Sequence, residues 1–285
     1  MLKRISEVNV YPKFDLRDEY IKIEDLFSTE LIASVWFTRL YPEVSVEGFM
    51  KIVFLKWHLR GTFINLHEMR RAWGIDKPTM ANTAINLTEE NVLFFLQYVY
   101  NCLYYFTEAN NESDDPDPME PSIEITDYHK LKALVGNADT LLFYLGADKY
   151  FDNEKREFVV YYRDVADDIV VEQHADIQTS LKEYKQIGIH NDLQRKGEIL
   201  TTLYKKFETF RSSLKETEFN KLQSDTGMLL DLARHSPKDP VKARFAAMPD
   251  EEKIIWYDKT YKMFIACLSV LPYVEDKPAI ERLKK

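Results

Sequence analysis

Apolar residues recur at intervals of three and four along most of the chain, the spacing that places them on one face of an α-helix. In the N-terminal part this pattern predicts helices near 24–40, 46–59, 64–73, 78–87 and 88–106. Thr88, followed by two glutamates, is a typical helix start. Its hydroxyl can accept a hydrogen bond from a free backbone amide of the first turn, and the two glutamates are favourable near the positive end of the helix. This part is therefore predicted to be all-helical.

The second part of the chain begins with a different pattern. In "YFDNEKREFVVYY" aromatic and branched residues flank a polar turn, which predicts a β-hairpin near 148–162. Helical spacing then returns and predicts helices near 163–186, 192–212, 215–235 and 249–271. The predicted fold class is mainly α: a helical N-terminal domain plus a C-terminal helical bundle with one small β-hairpin.

An acidic, proline-rich stretch, "EANNESDDPDPMEPS" at residues 108–122, separates the two patterns. Because apolar residues nearly vanish there, it is predicted to be a linker between domains at 1–107 and 123–285. A calcium loop needs alternating oxygen ligands around a glycine turn, and here prolines hold the alternate positions. No metal site is predicted.

Size, charge and cysteine content narrow the class of protein. The 285 residues suffice for one large or two ordinary domains with a hydrophobic core. The formal net charge of -9 excludes a protein that coats nucleic acid through bulk charge, so a nucleic-acid site must be a local basic patch. Cys102 and Cys267 lie in apolar, helix-like runs and are predicted to be buried thiols without a disulfide.

The N-terminus and the most apolar window of the sequence indicate where in the cell the protein is located. The N-terminus, "MLKRISEVNVYPKFDLRDEY", lacks the apolar core of a signal peptide, which predicts a cytoplasmic protein. The most apolar window, 92–106, is shorter than the roughly 20 residues that cross a bilayer and contains Gln97 and Asn101. It is predicted to be a core helix, and no membrane partner is expected.

Several familiar catalytic motifs are absent from the sequence. It contains no G-x-G-x-x-G, no glycine-lysine phosphate loop, no H-E-x-x-H and no pair of C-x-x-C motifs. Nucleotide-loop and zinc chemistry therefore have no support, and no cofactor is predicted.

The stretch "NLHEMRRAWGIDKPTMANTAINL", residues 65–87, has the layout of a helix-turn-helix. A first helix through Arg70 is followed by a turn at Gly74 and a second helix from "KPTMANTAIN". The stretch resembles the helix-turn-helix of winged-helix regulators of the MarR type. That resemblance implies DNA contacts from the second helix, with phosphate held by Lys77 and bases read by Thr79, Asn82 and Thr83.

The stretch departs from that family at two points. The bulky Arg70 stands where a small residue usually lets the helices approach, and no wing hairpin follows. A helix-turn-helix used only for packing is the alternative interpretation.

A second cationic feature lies in "LLDLARHSPKDPVKAR", residues 229–244. Its part from Arg234 to Arg244 contains four basic residues and one acidic residue. His235 could move a proton near neutral pH, and Arg234 could stabilise charge on phosphorus. Asp231 stands one turn earlier, where it could orient His235 or pair with Arg234. Three further cations would hold the phosphate backbone: Lys238, Lys242 and Arg244.

The same residues also suit a purely structural role. Arg and His in a last turn favour the negative helix end, prolines prevent the helix from continuing, and Asp231 with Arg234 is an ordinary intrahelical pair.

The C-terminal half resembles uncharacterised prokaryotic proteins with a HEPN-type helical domain. The resemblance covers residues 148–285 and rests on four segments: "YFDNEKREFVVYY", "DLQRKGEILTTLYKKFE", "LLDLARHSPKDP" and "MPDEEKIIWYDKTYKMFIACL". It implies a compact, often dimeric helical bundle from abortive-infection and toxin proteins that cleave RNA, or from their inactive nucleic-acid-binding partners. Active members carry an Arg and, a few residues later, a His. The corresponding positions after Arg234 hold Asp239, Pro240 and Val241.

Three functions are therefore predicted as alternatives. The first is a homo-oligomeric protein of a prokaryotic defence or toxin-type system that binds RNA or cleaves it without a metal. The second is a DNA-binding regulator that uses residues 65–87. The third is a non-catalytic, acidic adaptor or antitoxin-like partner protein, because a helical protein with a net charge of -9 can occupy the basic site of another protein.

Overall fold

The computed structural model describes residues 15–36, 42–75, 87–111, 122–233 and 240–284. Of these residues 71% are helical, which confirms the mainly α fold class. The chain divides into two compact units, Met1–Val160 and Tyr161–Lys285, here called unit 1 and unit 2.

The described elements of unit 1 alternate helices with short strands. In chain order they are α1 (Leu16–Ser28), β1 (Ala33–Trp36), β2 (Glu43–Val44), α2 (Val46–Val53), α3 (Leu66–Ala72), α4 (Glu89–Asn111), β3 (Ser122–Ile125), α5 (Tyr128–Tyr144) and β4 (Ala147–Asp152). Strand β5 (Glu157–Tyr162) pairs with β4 and carries the chain into unit 2. The hairpin predicted near 148–162 is thus confirmed.

The described elements of unit 2 are helices after the end of β5. They are α6 (Val165–Gln173), α7 (Gln178–Tyr184), α8 (Leu193–Lys215), α9 (Asn220–Leu232), α10 (Pro240–Ala246) and α11 (Asp250–Leu283).

A small antiparallel sheet joins residues from before and after the acidic stretch within unit 1. Strand β1 pairs with β2 on one side and with β3 on the other, where Ala33 faces Ile125 and Trp36 faces Ser122. Helix α5 then packs against α1. The chain therefore returns to unit 1 after the acidic stretch. Helix α4 also extends into the predicted linker, and residues 112–121 lie outside the described part.

The helix predicted at 24–40 is wrong. Helix α1 starts earlier, at Leu16, where the Asp15 carboxylate accepts from the Arg17 and Asp18 amides, and it ends at Ser28. The residues that follow form β1, which needs β3 as its hydrogen-bonding partner. Since β3 is distant in sequence, local apolar spacing contains no information about this pairing.

Other helix predictions differ in their limits. The 46–59 helix is α2 followed by two short 3-10 turns, the 163–186 helix is divided into α6 and α7, and α5 was not predicted. The 78–87 helix lies almost entirely outside the described residues. The start of α4 at Thr88 is confirmed, because the Thr88 hydroxyl accepts from the Asn91 amide at 3.2 Å.

Helix α11 extends beyond its predicted end at 271 and includes Pro272 and Pro278. Proline removes a backbone donor and strains the preceding turn, so a stop was expected. Contacts with the turn before α9 hold the extension: Tyr273 packs edge-on against Phe219, with ring centroids 6.0 Å apart, and Lys277 forms an ion pair with Glu218.

Helix α4 forms the centre of unit 1, as its nearly continuous apolar sequence predicted. Two polar residues in the apolar part of this helix, Gln97 and Asn101, bind the edge of β5. The Asn101 side chain accepts from the Phe158 amide at 2.7 Å and donates to the Phe158 carbonyl at 2.9 Å, and Gln97 accepts from the Val160 amide at 2.8 Å. These bonds satisfy backbone groups that a two-stranded sheet otherwise leaves unpaired.

Arg70 lies at the centre of a buried ion cluster in unit 1. Its guanidinium donates to both carboxylate oxygens of Glu24, at 2.7 and 3.1 Å, and to Glu47 at 2.8 Å, and its Nε donates to the Ile75 carbonyl. Lys51 binds the other oxygen of Glu47 at 3.0 Å, so the two acids are matched by two cations. The cluster joins α1, α2 and α3, which explains the bulky residue at position 70.

Helices α8, α9 and α11 pack together as the core of unit 2. Gly227 of α9 lets α8 approach closely, since a Cβ there would lie 3.2 Å from the Phe207 ring. A buried lysine, Lys196, donates to Asp258 at 2.7 Å, and Tyr184 donates to the same carboxylate oxygen at 3.0 Å. Burial of this charge is therefore offset by an ion pair.

Cys102 and Cys267 are free and buried, as predicted. None of the helices in the described ranges combines the length and the apolar character that a bilayer span requires.

We expect Arg70→Met to lower the free energy of unfolding by about 3–5 kcal/mol, because it leaves two carboxylates buried without their shared cation. Urea unfolding followed by circular dichroism measures the change. The matched control is Arg71→Met, the exposed neighbour in α3. Adding Glu24→Gln and Glu47→Gln to Arg70→Met should restore part of the loss, and no restoration would contradict the ion-cluster explanation.

A pH-dependent loss of stability is expected from His174. Burial, and then Lys206, lower its pKa below the usual value. Because the unfolded chain binds this proton near pH ~6.5, it holds more protons than the folded chain just below that pH. The free energy of unfolding should therefore fall as the pH drops below about 6.5. In His174→Gln this fall should be smaller, and an identical fall in both proteins would refute the assignment.

Candidate functional site

The ends of four helices in unit 2 surround a cavity of about 880 Å³. It lies where α9 ends and α10 begins, against the first turns of α8 and the first two turns of α11. Its described lining is mainly apolar and consists of Leu193, Gln194, Gly197, Glu198, Thr201, Leu232, Ala233, Lys242, Ala243, Phe245, Ala246, Lys253 and Tyr257. Ligand cavities in proteins commonly measure about 300–1,000 Å³.

Two local features of the sequence form one wall of this cavity. Gly197 has no side chain, so the Tyr257 ring of α11 lies directly over α8, and a Cβ at Gly197 would come within 3.3 Å of the Tyr257 hydroxyl. Phe245 of α10 packs against the Tyr257 ring at a tilt, with ring centroids 5.5 Å apart. The cavity is thus bounded by two aromatic rings.

The cation that lies deepest in this lining is Lys242, whose side chain is 12% exposed. Its ammonium lies 2.7 Å from the Asp231 carboxylate in the last turn of α9. A carboxylate is unfavourable at the negative end of a helix, and Lys242 compensates for it. This pair fixes the position of α10 relative to α9.

The other charged side chains of the cavity are also paired. Lys253 binds Asp250 at 2.9 Å in the first turn of α11. Glu198 accepts from Arg195 at 2.7 Å, and this hydrogen bond, with one from Gln194, lowers the pKa of Glu198. Each of these charged side chains is therefore paired within the protein, and the uncharged polar contacts of the lining come from hydroxyl and amide groups.

Tyr257 supplies such a group. The residue is 8% exposed and its hydroxyl makes no hydrogen bond within the described part of the chain. Burial raises the pKa of this phenol above its ordinary value. The hydroxyl is therefore protonated at neutral pH and is able to donate and accept one hydrogen bond each.

The structure brings two of the predicted site residues together. Asp231 and Lys242 form the ion pair described above, so the Asp231 carboxylate holds Lys242. Arg244 is exposed on α10, and its Nε lies 3.4 Å from the Pro240 carbonyl. The remaining predicted residues of this site, Arg234, His235 and Lys238, lie outside the described residues.

The predicted helix-turn-helix is described only in its first half. Helix α3 is present, Gly74 has a positive φ of 68° in the turn after it, and Ile75 is buried. The residues assigned to DNA contacts, Lys77, Thr79, Asn82 and Thr83, lie outside the described part of the chain.

Sequence reasoning missed the cavity. Gly197 and Tyr257 are its defining pair, and they come from two helices separated by about 60 positions in the chain. The available signal was a glycine inside an otherwise regular helical pattern, which often marks close packing. Among the described residues, no group of three or more histidine, cysteine or acidic side chains is placed to hold a metal ion.

Comparisons with protein-family models, with curated proteins and with solved structures found no match for this chain.

We expect Lys242→Met to lower the free energy of unfolding of unit 2 by about 1 kcal/mol, because the Asp231 carboxylate then remains at the negative helix end without this cation. Methionine keeps the apolar stem, so packing changes little. Urea unfolding of the single and double variants forms a cycle in which Asp231→Asn restores stability to Lys242→Met.

The matched control for this cycle is Lys205→Met, which removes an exposed lysine of α8. Equal effects of Lys242→Met and Lys205→Met would show that the ion pair contributes nothing.

Proposed function

We propose that unit 2 binds single-stranded RNA at the junction of α9 and α10. One observation carries the proposal: an aromatic-walled cavity of about 880 Å³ opens beside a short helix whose charged residues, Lys242 and Arg244, are both cationic. Proteins bind single strands by combining cations that follow the phosphates with aromatic rings against the bases. The choice of RNA over DNA rests on the resemblance to HEPN-type domains.

The charge distribution supports local contacts. A net charge of -9 repels a polyanion at long range, so the binding must depend on short-range cations and be strongly weakened by salt. Arg244 is exposed and has no side-chain ion pair in the described part of the chain, so its guanidinium is available for a phosphate.

The proposal is restricted to binding. Cleavage of a phosphodiester without a metal needs a group that exchanges a proton near neutral pH, for which histidine is best suited. None of the described lining residues is a histidine and Asp231 holds Lys242, so the described residues support binding; His235 lies outside them. A role in a prokaryotic defence or toxin-type system of the cytoplasm belongs to the same proposal and rests on the resemblance alone.

Binding of a short, fluorescently labelled single-stranded RNA, measured by anisotropy over a range of salt concentrations, tests this proposal. Each lost phosphate contact lowers the salt dependence, expressed as the slope of log affinity against log salt, by about 0.7 for single strands. Lys242→Gln with Arg244→Gln should therefore lower the slope by about 1.4 and weaken binding at low salt.

The matched control removes two exposed lysines of α8, Lys205→Gln with Lys215→Gln, and should leave the slope unchanged. Arg244→Gln alone, which leaves the Asp231 pair intact, should lower it by about half as much. Equal slopes in all proteins, or no salt-dependent binding by the unaltered protein, would overturn the proposal.

A further inference from the structure

We infer that the cavity of unit 2 receives one base of the bound strand and that the Tyr257 hydroxyl hydrogen-bonds to the edge of that base. This inference rests on the proposed RNA binding and names the part of the RNA that the cavity recognises.

The first support is the shape and composition of the cavity. Its volume, about 880 Å³, accommodates a nucleotide, and its described walls combine two aromatic rings with leucines from α8 and α9. Every nucleic-acid base has an apolar, polarisable face that stacks on such rings. A phosphate alone would gain little from these rings and leucines, because it has no apolar face to pack against them.

The second support is the unpartnered hydroxyl of Tyr257. Only 8% of the Tyr257 residue is exposed, and its hydroxyl is not sealed in the core, so a molecule in the cavity can reach it. This hydroxyl belongs to a residue of the cavity wall and makes no hydrogen bond within the described part of the chain. A ligand in the cavity supplies the missing partner.

The third support is the arrangement of further polar groups. Thr201 lines the cavity, and its hydroxyl donates to the Gly197 carbonyl at 2.9 Å, so the oxygen remains able to accept from a ligand. The edge of a base carries hydrogen-bond donors and acceptors side by side. It therefore matches the Tyr257 hydroxyl, which can donate and accept, together with the Thr201 hydroxyl, which can accept. A purely apolar ligand would offer no partner to the Tyr257 hydroxyl and no donor to the Thr201 oxygen.

The fourth support is the position of the cations. Lys242 belongs to the cavity lining, and Arg244 is exposed two positions further along the same helix. A nucleotide whose base occupies the cavity therefore leaves its phosphate on the side of α10. The base contact and the phosphate contacts are thus separate and can be removed separately.

The test uses RNA that carries the fluorescent base 2-aminopurine at one position. Stacking of that base in the cavity should change its fluorescence when the unaltered protein binds. Ala243→Phe fills the cavity from α10 and should abolish the fluorescence change while anisotropy still reports binding. The matched control is Ala247→Phe, an exposed alanine that is not among the described lining residues, and it should retain the change.

Tyr257→Phe removes one hydroxyl and keeps the ring. We expect it to weaken binding of the preferred base by about fivefold, the effect of one lost hydrogen bond, and to leave the weaker bases unchanged. Homopolymeric RNAs of the four bases provide this comparison.

The outcomes separate the two proposals. Salt-dependent RNA binding without a fluorescence change at any labelled position, or with equal changes in Ala243→Phe and Ala247→Phe, would overturn the base site and leave the proposed function standing. Absence of RNA binding would overturn the proposed function itself, and the base site with it.

Discussion

The buried guanidinium of Arg70 is the interaction on which unit 1 depends. Arg70 lies in α3 and binds Glu24 of α1 and Glu47 of α2. Its guanidinium also lies 5.6 Å from the ring centroids of Phe95 and Tyr98 in α4. One side chain thus orients four helices. Such a cluster is costly to desolvate, and it stabilises only when every charge is matched, so the geometry of these helices cannot vary independently. The sheet and the hairpin of unit 1 are built around the same helix α4.

Unit 2 is organised by close packing at glycine and by ion pairs at helix ends. Gly227 brings α8 and α9 together, and Gly197 admits the Tyr257 ring over α8. The Asp231 and Lys242 pair holds α10 across the end of α9. Between these contacts the helix ends leave a cavity where aromatic rings meet cations. The functional proposal follows from this arrangement, because aromatic rings and cationic side chains lie side by side there.

Much of the fold follows from local pattern. Periodic apolar residues predicted α4, α8 and α9, with the limits of α8 within three residues and those of α4 and α9 up to five residues away, and the polar turn in "DNEK" predicted the hairpin. Strand β1 was mistaken for helix because its partner β3 is remote in sequence, and α11 passes two prolines because tertiary contacts hold its extension. For the site, the pattern identified Asp231, Lys242 and Arg244 as neighbours in the chain. It did not identify Tyr257 or Gly197.

By itself, the sequence determined the helical class, the central position of α4 and the acidic overall charge, since each depends on composition or on neighbours within a few residues. Only the tertiary structure decided which charges pair and which polar side chains line the cavity. The bulky Arg70 is explained only when Glu24 and Glu47 are placed beside it, and the Tyr257 side chain lines a cavity only once α8 and α10 lie against it. The physical reason is that burial and ion pairing are set by residues distant in the chain, whereas helix periodicity is set by adjacent ones.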